Sequence, residues 1–398
     1  MRLRGQSVTW YITLIGFLGI FSTTISKNPV LPLFIKGLGG QDYILGIIAA
    51  ASPLAGILLS FPVGFIADEI GKRKLLIISA CIFAIAPLLY LMVSEPLFLI
   101  PIRFFHGMAT AIMMPVASAI IVGLFPEHKA EKLGIYSSAT LFGRTLAPLF
   151  GGFIISYFAY MGNLMPYKIV YIIAFLFALP IVFFSLQIPK EVHVVHVAKV
   201  RITDMFFSLK QFLREGVLMS TALVDMATYF IYGVLEAYLP VYLLTKHVEP
   251  NLIGLLFSLQ VISIALTKPF FGKLADRIDK RIQILVGIVM LMITTVLIYH
   301  ISHYVLLMGV IILFGLGMSL TTIATSTYIA EHVDAHRQGT ALGFLSALMD
   351  VGQTGGPFII GFIVTFVSYQ MGFYAAGSVA LFSALFFFYH TVIKQYME

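Results

Sequence analysis

The sequence predicts an all-α membrane protein built from two six-helix bundles that are related by a parallel internal repeat. Apolar residues make up 60% of the 398 residues and charged residues only 11%, which excludes an ordinary soluble domain. About twelve apolar runs reach the roughly 20 residues that a helix needs to cross about 30 Å of hydrocarbon. A charged turn in the first half of the chain recurs 208 positions later, between similar apolar runs.

The predicted spans follow one another with short turns and one longer linker. Many spans exceed 20 residues, which indicates tilted helices or helices that project past the hydrocarbon. The linker, residues 189–215, separates an N-terminal bundle (1–188) from a C-terminal bundle (216–398). The twelve predicted spans are 8–35, 43–67, 75–93, 97–124, 133–160, 168–188, 216–244, 251–272, 282–300, 304–330, 338–367 and 371–393.

Lysine and arginine are distributed unevenly between the two predicted sides of the membrane. Alternate loops, the linker and both termini hold 18 of the 25 bases, the opposite loops hold three, and four fall within spans. The positive-inside rule therefore predicts a multi-pass protein of the cell (inner) membrane with both termini in the cytoplasm. The same bias accounts for most of the net charge of +7, so no nucleic-acid partner is predicted.

The repeated charged turn is the most specific motif. Residues 61–74 read FPVGFIADEIGKRK, and residues 271–281 read FGKLADRIDKR. This pattern resembles the G-x-x-x-D-[RK]-x-G-[RK]-[RK] loop of the major facilitator superfamily of transporters, although Glu69 replaces a base and Asp279 replaces the second glycine. The alternative is a solvated loop that only sets topology. The resemblance implies a cytoplasmic gate that latches the two halves and is formed by Gly64, Asp68, Gly71, Lys72, Arg73, Asp276 and Arg277.

Further matched positions extend this resemblance over residues 8–393. Leu31-Pro32 matches Leu239-Pro240, and Gly107 matches Gly315, each at an offset of 208. The resemblance implies the major facilitator fold, in which two parallel halves hold substrate near the bilayer midplane. It also implies a transporter and not an enzyme. No catalytic residue, metal ligand or cofactor is predicted.

The fifth span carries a second motif. Residues 143–152, GRTLAPLFGG, look like the G-x-x-x-G-P-x-x-G-G signature of proton-coupled antiporters, and residues 352–357, GQTGGP, repeat part of it in the eleventh span. Small residues let helices pack closely, and a proline bends a helix. The alternative is generic close packing. The predicted helix-bend residues are Gly143, Pro148, Gly152, Gly352 and Pro357.

The fourth span contains Arg103, in a sequence that resembles the family pattern R-x-x-x-G. A charge inside a span costs roughly 2.5–3.5 kcal/mol on insertion scales and usually faces a cavity. The resemblance implies that Arg103 takes part in proton coupling. The alternative is an arginine that snorkels to the outer interface.

The seventh span carries a polar stripe. Asp225, Tyr229, Tyr232 and Glu236 follow at spacings of 4, 3 and 4, which places them on one helical face. The resemblance implies that this face lines the cavity. A carboxyl group there would exchange a proton as its surroundings alternate between wet and dry, because desolvation favours the neutral form and a nearby cation favours the carboxylate. For Glu236, a static ion pair that fixes packing is the equal alternative.

The candidate site residues form two groups. Which intramembrane acid pairs with which base, including Lys268, stays open, and hydroxyls of the tenth span often bond back to their own helix. The proton-coupling candidates are Glu236, Arg103, Asp225 and Asp350. The candidates for the substrate cavity are Lys27, Asn28, His106, Tyr229, Tyr232, Arg144, Thr322 and Thr325.

The leading functional hypothesis is proton-coupled antiport, by alternating access, that exports amphipathic or drug-like small organic compounds. The chain holds 35 Phe, 19 Tyr and 17 Met, side chains that form adaptable apolar pockets. The alternative is proton-coupled transport of a small organic anion or other metabolite, because four intramembrane bases stand against three acids. A lipid flippase or a transporter-like sensor is a third class. The predicted partners are a small-molecule substrate, protons and the lipid bilayer, and the protein is expected to be a monomer.

Overall fold

The computed structural model describes residues 2–162, 164–189, 215–334 and 338–393. Twelve helical segments in this part of the chain are long and apolar enough to cross a membrane, which confirms the predicted number of spans and the all-α fold class. Nearly all of the predicted linker lies outside the described residues. The first span consists of helices Arg2–Ile25 and Val30–Gly37. The second to twelfth spans are Asp42–Ile70, Lys72–Leu91, Leu99–Leu124, Lys129–Tyr157, Met165–Gln187, Gly216–Thr245, Pro250–Ala275, Lys280–His300, Tyr304–Glu331, Gln338–Phe366 and Tyr369–Phe388.

The first span is interrupted, although its hydropathy predicts one uninterrupted run over 8–35. The first helix ends at Ile25, and a second helix begins at Val30. Pro29 lies in the gap, where its missing N–H removes a helical hydrogen bond and its ring disfavours a helical conformation at the preceding residue. Hydropathy does not register this break, because proline and asparagine occupy only two positions in a long apolar run.

The charged turn is shorter than the sequence predicts. The apolar runs end at residue 67 and resume at 75, but the helices extend to Ile70 and begin again at Lys72. Gly71 alone makes the reversal, with φ of 93°, a conformation that favours glycine. Apolar runs mark only the part of a helix that lies in hydrocarbon, so charged residues continue the helix beyond it.

The second copy of the turn is longer and has no glycine at the matching position. Here the helices stop at Ala275 and restart at Lys280, so four residues make the connection. Asp279 stands where the first copy has Gly71, and its side chain accepts a hydrogen bond from the backbone N–H of Arg281. An aspartate is a favoured N-cap, which explains why this position does not need glycine.

The chain divides into two compact units. The first comprises Met1–Val197 and Pro240–Ser258, and the second comprises Ala198–Leu239 and Leu259–Glu398. Inside the first unit, the third span packs against the fourth and sixth, around a core that includes Ile12, Phe83, Met113 and Tyr136. Inside the second unit, the ninth span packs in the same way against the tenth and twelfth. The internal repeat is therefore visible in the packing of each unit.

Candidate functional site

Two carboxyl groups of the seventh span lie inside the second unit. Asp225 is 3% exposed and Glu236 is 7% exposed. They are eleven residues apart on helix Gly216–Thr245, which corresponds to about 16 Å along the helix axis. The structure thus buries both acids of the predicted stripe at two separate heights.

Asp225 is held by a threonine of the tenth span. The Thr325 hydroxyl donates to Asp225 Oδ1 at 2.8 Å. Lys268 of the eighth span attracts the same carboxyl group electrostatically. Thr322, one turn away, donates to the carbonyl of Met318 in its own helix at 2.8 Å. The structure therefore separates two threonines that the sequence pattern does not distinguish.

Glu236 accepts a hydrogen bond from an amide of the eleventh span. Gln353 Nε2 donates to Glu236 Oε2 at 3.0 Å. Two residues further along the seventh span, the Tyr238 hydroxyl donates to the carbonyl of Pro357 at 2.6 Å. Each of the two buried carboxyl groups thus accepts a hydrogen bond from a neutral donor on another helix of the same unit.

The glycine motif of the eleventh span makes this contact possible. A Cβ atom added at Gly352 would collide with the carbonyl oxygen of Met226, and one at Gly356 would collide with that of Phe230. Only glycine allows the two backbones to approach so closely. Gln353 lies between these two glycines, so the motif brings its amide within reach of Glu236.

The remaining candidates of the second unit lie on the seventh and eleventh spans. Asp350 is half-buried, and among the described residues its carboxyl group makes no hydrogen bond or ion pair. The rings of Tyr229 and Tyr232 meet edge to face with centroids 6.3 Å apart. Tyr232 is buried and Tyr229 is half-buried.

The first unit contains a buried cluster of the opposite character. Arg103 of the fourth span is 1% exposed, and His106, one turn on, is fully buried. The Tyr90 hydroxyl of the third span lies 3.4 Å from both Arg103 Nη1 and His106 Nδ1. The Tyr171 ring of the sixth span stacks on Tyr90 with centroids 4.4 Å apart. Arg103 and His106 are thus brought together inside the unit.

The other candidates of the first unit lie apart from this cluster. Lys27 is half-buried and Asn28 is buried in the break between the two helices of the first span. Arg144 is exposed on the fifth span. Their assignment to a substrate cavity stays a prediction.

The helix-bend motif of the fifth span also marks close backbone contacts. A Cβ atom at Gly143 would lie 2.7 Å from the carbonyl oxygen of Phe17. One at Gly152 would collide with the carbonyl of Pro250, which belongs to the same compact unit. The glycines therefore allow tight packing in both halves of the repeat, while Pro148 and Pro357 lie inside continuous helices.

The gate residues make contacts within their own units. Arg73 Nη2 donates to the carbonyl of Leu186 at 2.7 Å, and Arg281 Nη1 donates to that of Thr391 at 2.9 Å. Leu186 lies in the last turn of the sixth span, and Thr391 lies in the short π-helix Tyr389–Ile393 that continues the twelfth, so each arginine binds the C-terminal end of its half, where carbonyls lack helical partners. Lys72 is half-buried, Asp276 and Arg277 are exposed, Gly64 lies inside the second span, and the side chain of Asp68 lies outside the described part. The latch role stays a prediction.

Asp279 binds the second of these arginines. Its carboxylate accepts hydrogen bonds from Arg281 Nε at 2.9 Å and Nη2 at 2.6 Å. These hydrogen bonds hold the pKa of Asp279 below its ordinary value. The aspartate therefore both caps the ninth span and orients Arg281 toward the twelfth.

In the part of the chain that the structure describes, twelve membrane-length helices with internally repeated packing define a multi-pass membrane protein. The model of the Major Facilitator Superfamily matches residues 12–249 and 243–395, so the chain belongs to this superfamily. Its members are transporters of small molecules, not enzymes.

Individual relatives agree with this assignment. An uncharacterized MFS-type transporter of Methanocaldococcus jannaschii is 24% identical over 359 residues, which cover 89% of this chain and 90% of the relative. The quinolone resistance protein NorA of Staphylococcus aureus is 26% identical over 348 residues, 84% of each chain. Among solved structures, a bacterial homologue of the human lysosomal transporter Spinster matches with a TM-score of 0.81 at 16% identity, covering 98% of this chain and 97% of the other. The nucleoside transporter NupG matches with a TM-score of 0.74 at 14% identity, covering 97% and 99%.

Sequence reasoning missed the partners of the buried charges. Gln353 lies inside a motif that is defined by its glycines and proline, although an amide in a span is itself a signal. Tyr90 and Tyr171 give no such signal, because tyrosine is common near the ends of spans. Their contact with Arg103 depends on the rotation of three helices, which the hydropathy pattern does not determine.

Proposed function

We propose that this transporter is a proton-coupled antiporter that exports amphipathic, drug-like organic compounds by alternating access. The observation that carries the proposal is the pair of buried carboxyl groups, Asp225 and Glu236, which accept hydrogen bonds from the hydroxyl of Thr325 and the amide of Gln353. A neutral donor binds one oxygen of a carboxyl group whether or not the other oxygen carries a proton. These contacts therefore survive both protonation states, which a proton carrier needs.

The direction of coupling follows from the surroundings of such a carboxyl group. Water favours the carboxylate, and a dry environment favours the protonated acid. In the proposed cycle, Glu236 takes up a proton from the outside as the cavity closes and dries around it, and it releases the proton once water reaches it from the cytoplasm. A cationic substrate that competes for the same carboxylate then leaves as the proton enters. Asp225 and Asp350 are the secondary carriers in this scheme.

Relatives support the proposed substrate class. The similarity to a protein described by its role in quinolone resistance favours a drug-like compound. The distribution of bases supports placement in the cell membrane with both termini in the cytoplasm, as a monomer made of halves 1–188 and 216–398 joined by 189–215. The gate turns are proposed to close the cytoplasmic side.

Transport by purified protein in proteoliposomes tests this function. Under an imposed pH gradient, we expect transport of the lipophilic cation tetraphenylphosphonium by the wild-type protein. Glu236→Gln should abolish gradient-driven transport while the protein stays folded. Glu249→Gln is the matched control, because Glu249 is exposed in the loop between the seventh and eighth spans, and it should transport like the wild type. Unchanged gradient-driven transport by Glu236→Gln would exclude Glu236 as the essential carrier.

A second candidate is proton-coupled transport of a small organic anion. The buried cluster of Arg103 and His106 favours it, because the guanidinium and the imidazole N–H are donors that bind a carboxylate. The same proteoliposome assay separates the two functions when benzoate and a fluorescent lipid are tested as substrates beside tetraphenylphosphonium. Uptake of benzoate without the organic cation would favour the anion transporter, and movement of the lipid alone would favour a flippase.

A further inference from the structure

We propose that the Arg103–His106 cluster is a binding site for a small monovalent anion inside the first unit. The cluster comprises Tyr90, Arg103, His106 and Tyr171, from the third, fourth and sixth spans. It is distinct from the carboxyl groups of the second unit, and the inference does not depend on proton coupling.

The chemistry of each side chain decides which atoms of the cluster donate and which accept hydrogen bonds. Arginine only donates, so the Tyr90 oxygen must accept the hydrogen bond from Arg103 Nη1. The Tyr90 O–H is then free to donate to His106 Nδ1, which lies 3.4 Å away. With Nδ1 as the acceptor, neutral His106 carries its hydrogen on Nε2.

This assignment leaves donors without acceptors. Within the described part of the chain, Arg103 Nε and His106 Nε2 are buried and have no hydrogen-bond partner. The Tyr171 hydroxyl is buried and likewise has none. It lies within electrostatic range of the Arg103 guanidinium. Two nitrogen donors and one hydroxyl without acceptors therefore belong to neighbouring side chains of one positively charged cluster, and each buried donor that stays unsatisfied costs free energy.

The charge is also unbalanced. Among the described residues, Arg103 forms no ion pair with any acid. A buried arginine is costly in a span unless a negative charge or strong acceptors compensate it. Water would satisfy the donors but would leave the charge unbalanced. An anion would satisfy the donors and also balance the charge, and a halide or a carboxylate head group is small enough to contact several of these side chains at once.

Anion-dependent thermal stability of the purified full-length protein in detergent tests the proposal. At constant ionic strength, replacing the sodium salt of the bulky sulfonate MES by sodium chloride, bromide or acetate should raise the Tm of the wild type by about 2–4 °C for at least one of these anions. A response to halides alone identifies a free inorganic anion. A response that includes acetate identifies recognition of a carboxylate head group. A Tm that is independent of the anion would overturn the proposal.

Variants assign the effect to the cluster. Arg103→Met should lose the anion-dependent shift, whereas Lys129→Met, which changes an exposed base in the same unit, should keep it. Tyr171→Phe removes only a hydroxyl and should weaken binding of the stabilising anion about three- to tenfold. Tyr160→Phe is its control, because Tyr160 is 77% exposed. Equal shifts in Arg103→Met and the wild type would contradict the site.

Locating the bound anion in crystals of the wild-type protein tests the site without relying on the folding of any variant. Crystals of the wild-type protein grown in sodium bromide should show anomalous density in contact with the Arg103 guanidinium and the Tyr171 hydroxyl. Anomalous peaks confined to the protein surface would overturn the assignment if the Tm responds only to halides. If the Tm also responds to acetate, the same experiment with bromoacetate tests the location in the same way.

Discussion

The two units use the same packing but bury opposite charges. In the first unit, Arg103 and His106 are buried beside tyrosine hydroxyls. In the second, Asp225 and Glu236 are buried beside a threonine and a glutamine. The repeat therefore retains the scaffold while the chemistry of each half differs. A carboxyl group that alternates between wet and dry surroundings gains and loses a proton, whereas arginine stays protonated, so the difference favours proton exchange in the second unit.

The two charged turns also make the same contact by different means. Arg73 and Arg281 bind the ends of the sixth and twelfth spans through equivalent hydrogen bonds. Gly71 and Asp279 reach this result by different means, a positive φ in one turn and a capping carboxylate in the other. The contact with the last span is thus the shared feature, and the turn conformation is not.

Among the changes that test the difference between the two units, removing an acid of the second unit should lower transport the most. Asp225→Asn is expected to lower gradient-driven transport at least about tenfold, because it removes the charge that Thr325 and Lys268 stabilise. Proteoliposome transport measures the change. Asp334→Asn, an exposed aspartate beyond the tenth span, is the control and should retain the wild-type rate. Equal rates in the two variants would remove Asp225 from the mechanism.

Removing the base of the first unit should have a smaller and different effect. Arg103→Met is expected to impair coupling to the pH gradient while tetraphenylphosphonium binding stays within about twofold, since the residue lies among tyrosines of the first unit. Equilibrium binding and transport, measured on the same preparation, separate the two properties. Arg103→Lys keeps the charge and should recover part of the coupling. A variant that loses binding and transport in parallel would show that the residue holds the substrate instead.

The two threonines of the tenth span allow a finer test. Thr325→Val should lower transport about three- to tenfold, because the hydroxyl that donates to Asp225 is lost. Thr322→Val should change it less than about twofold, because that hydroxyl serves only its own helix. If Thr322→Val is the more damaging change, the hydroxyl acts on substrate and the assignment must be reversed.

The smallest effect concerns the turn of the second half. The pKa of Asp279 is lower in the folded protein than its ordinary value of 3.8, so its contribution to stability is present above that value and is lost as the pH falls through the folded pKa. Asp279→Asn should therefore lower the Tm slightly at pH 7, and the difference from the wild type should vanish in strong acid. Asp276→Asn, exposed in the same turn, serves as the control in the thermal melts. A difference that persists in acid would mean that the N-cap geometry, not the charge, is responsible.

Much of the fold could be predicted from the sequence because the thickness of the hydrocarbon core of the bilayer fixes the length of a span. The number of spans followed from this length, and the repeat followed from motifs at a constant offset. The break at Pro29 and the single-residue turn at Gly71 did not, since both depend on backbone conformation within or beyond the apolar runs.

The site was predicted less completely. The spacing of Asp225 and Glu236 correctly placed them on one helix, because helical periodicity is local. Their partners Thr325 and Gln353 lie 100 and 117 positions away, and contact between them depends on helix rotation and on the close approach at Gly352. Local patterns do not contain this information.

Proton release on substrate binding tests the central claim most directly. Purified protein in weakly buffered detergent solution at neutral pH is mixed with tetraphenylphosphonium, and the released protons are counted with a pH indicator. We predict release of about one proton by the wild type and by the control Glu249→Gln, and none by Glu236→Gln, because substrate displaces the proton from that carboxyl group. Full release by Glu236→Gln would contradict the assignment of proton exchange to Glu236.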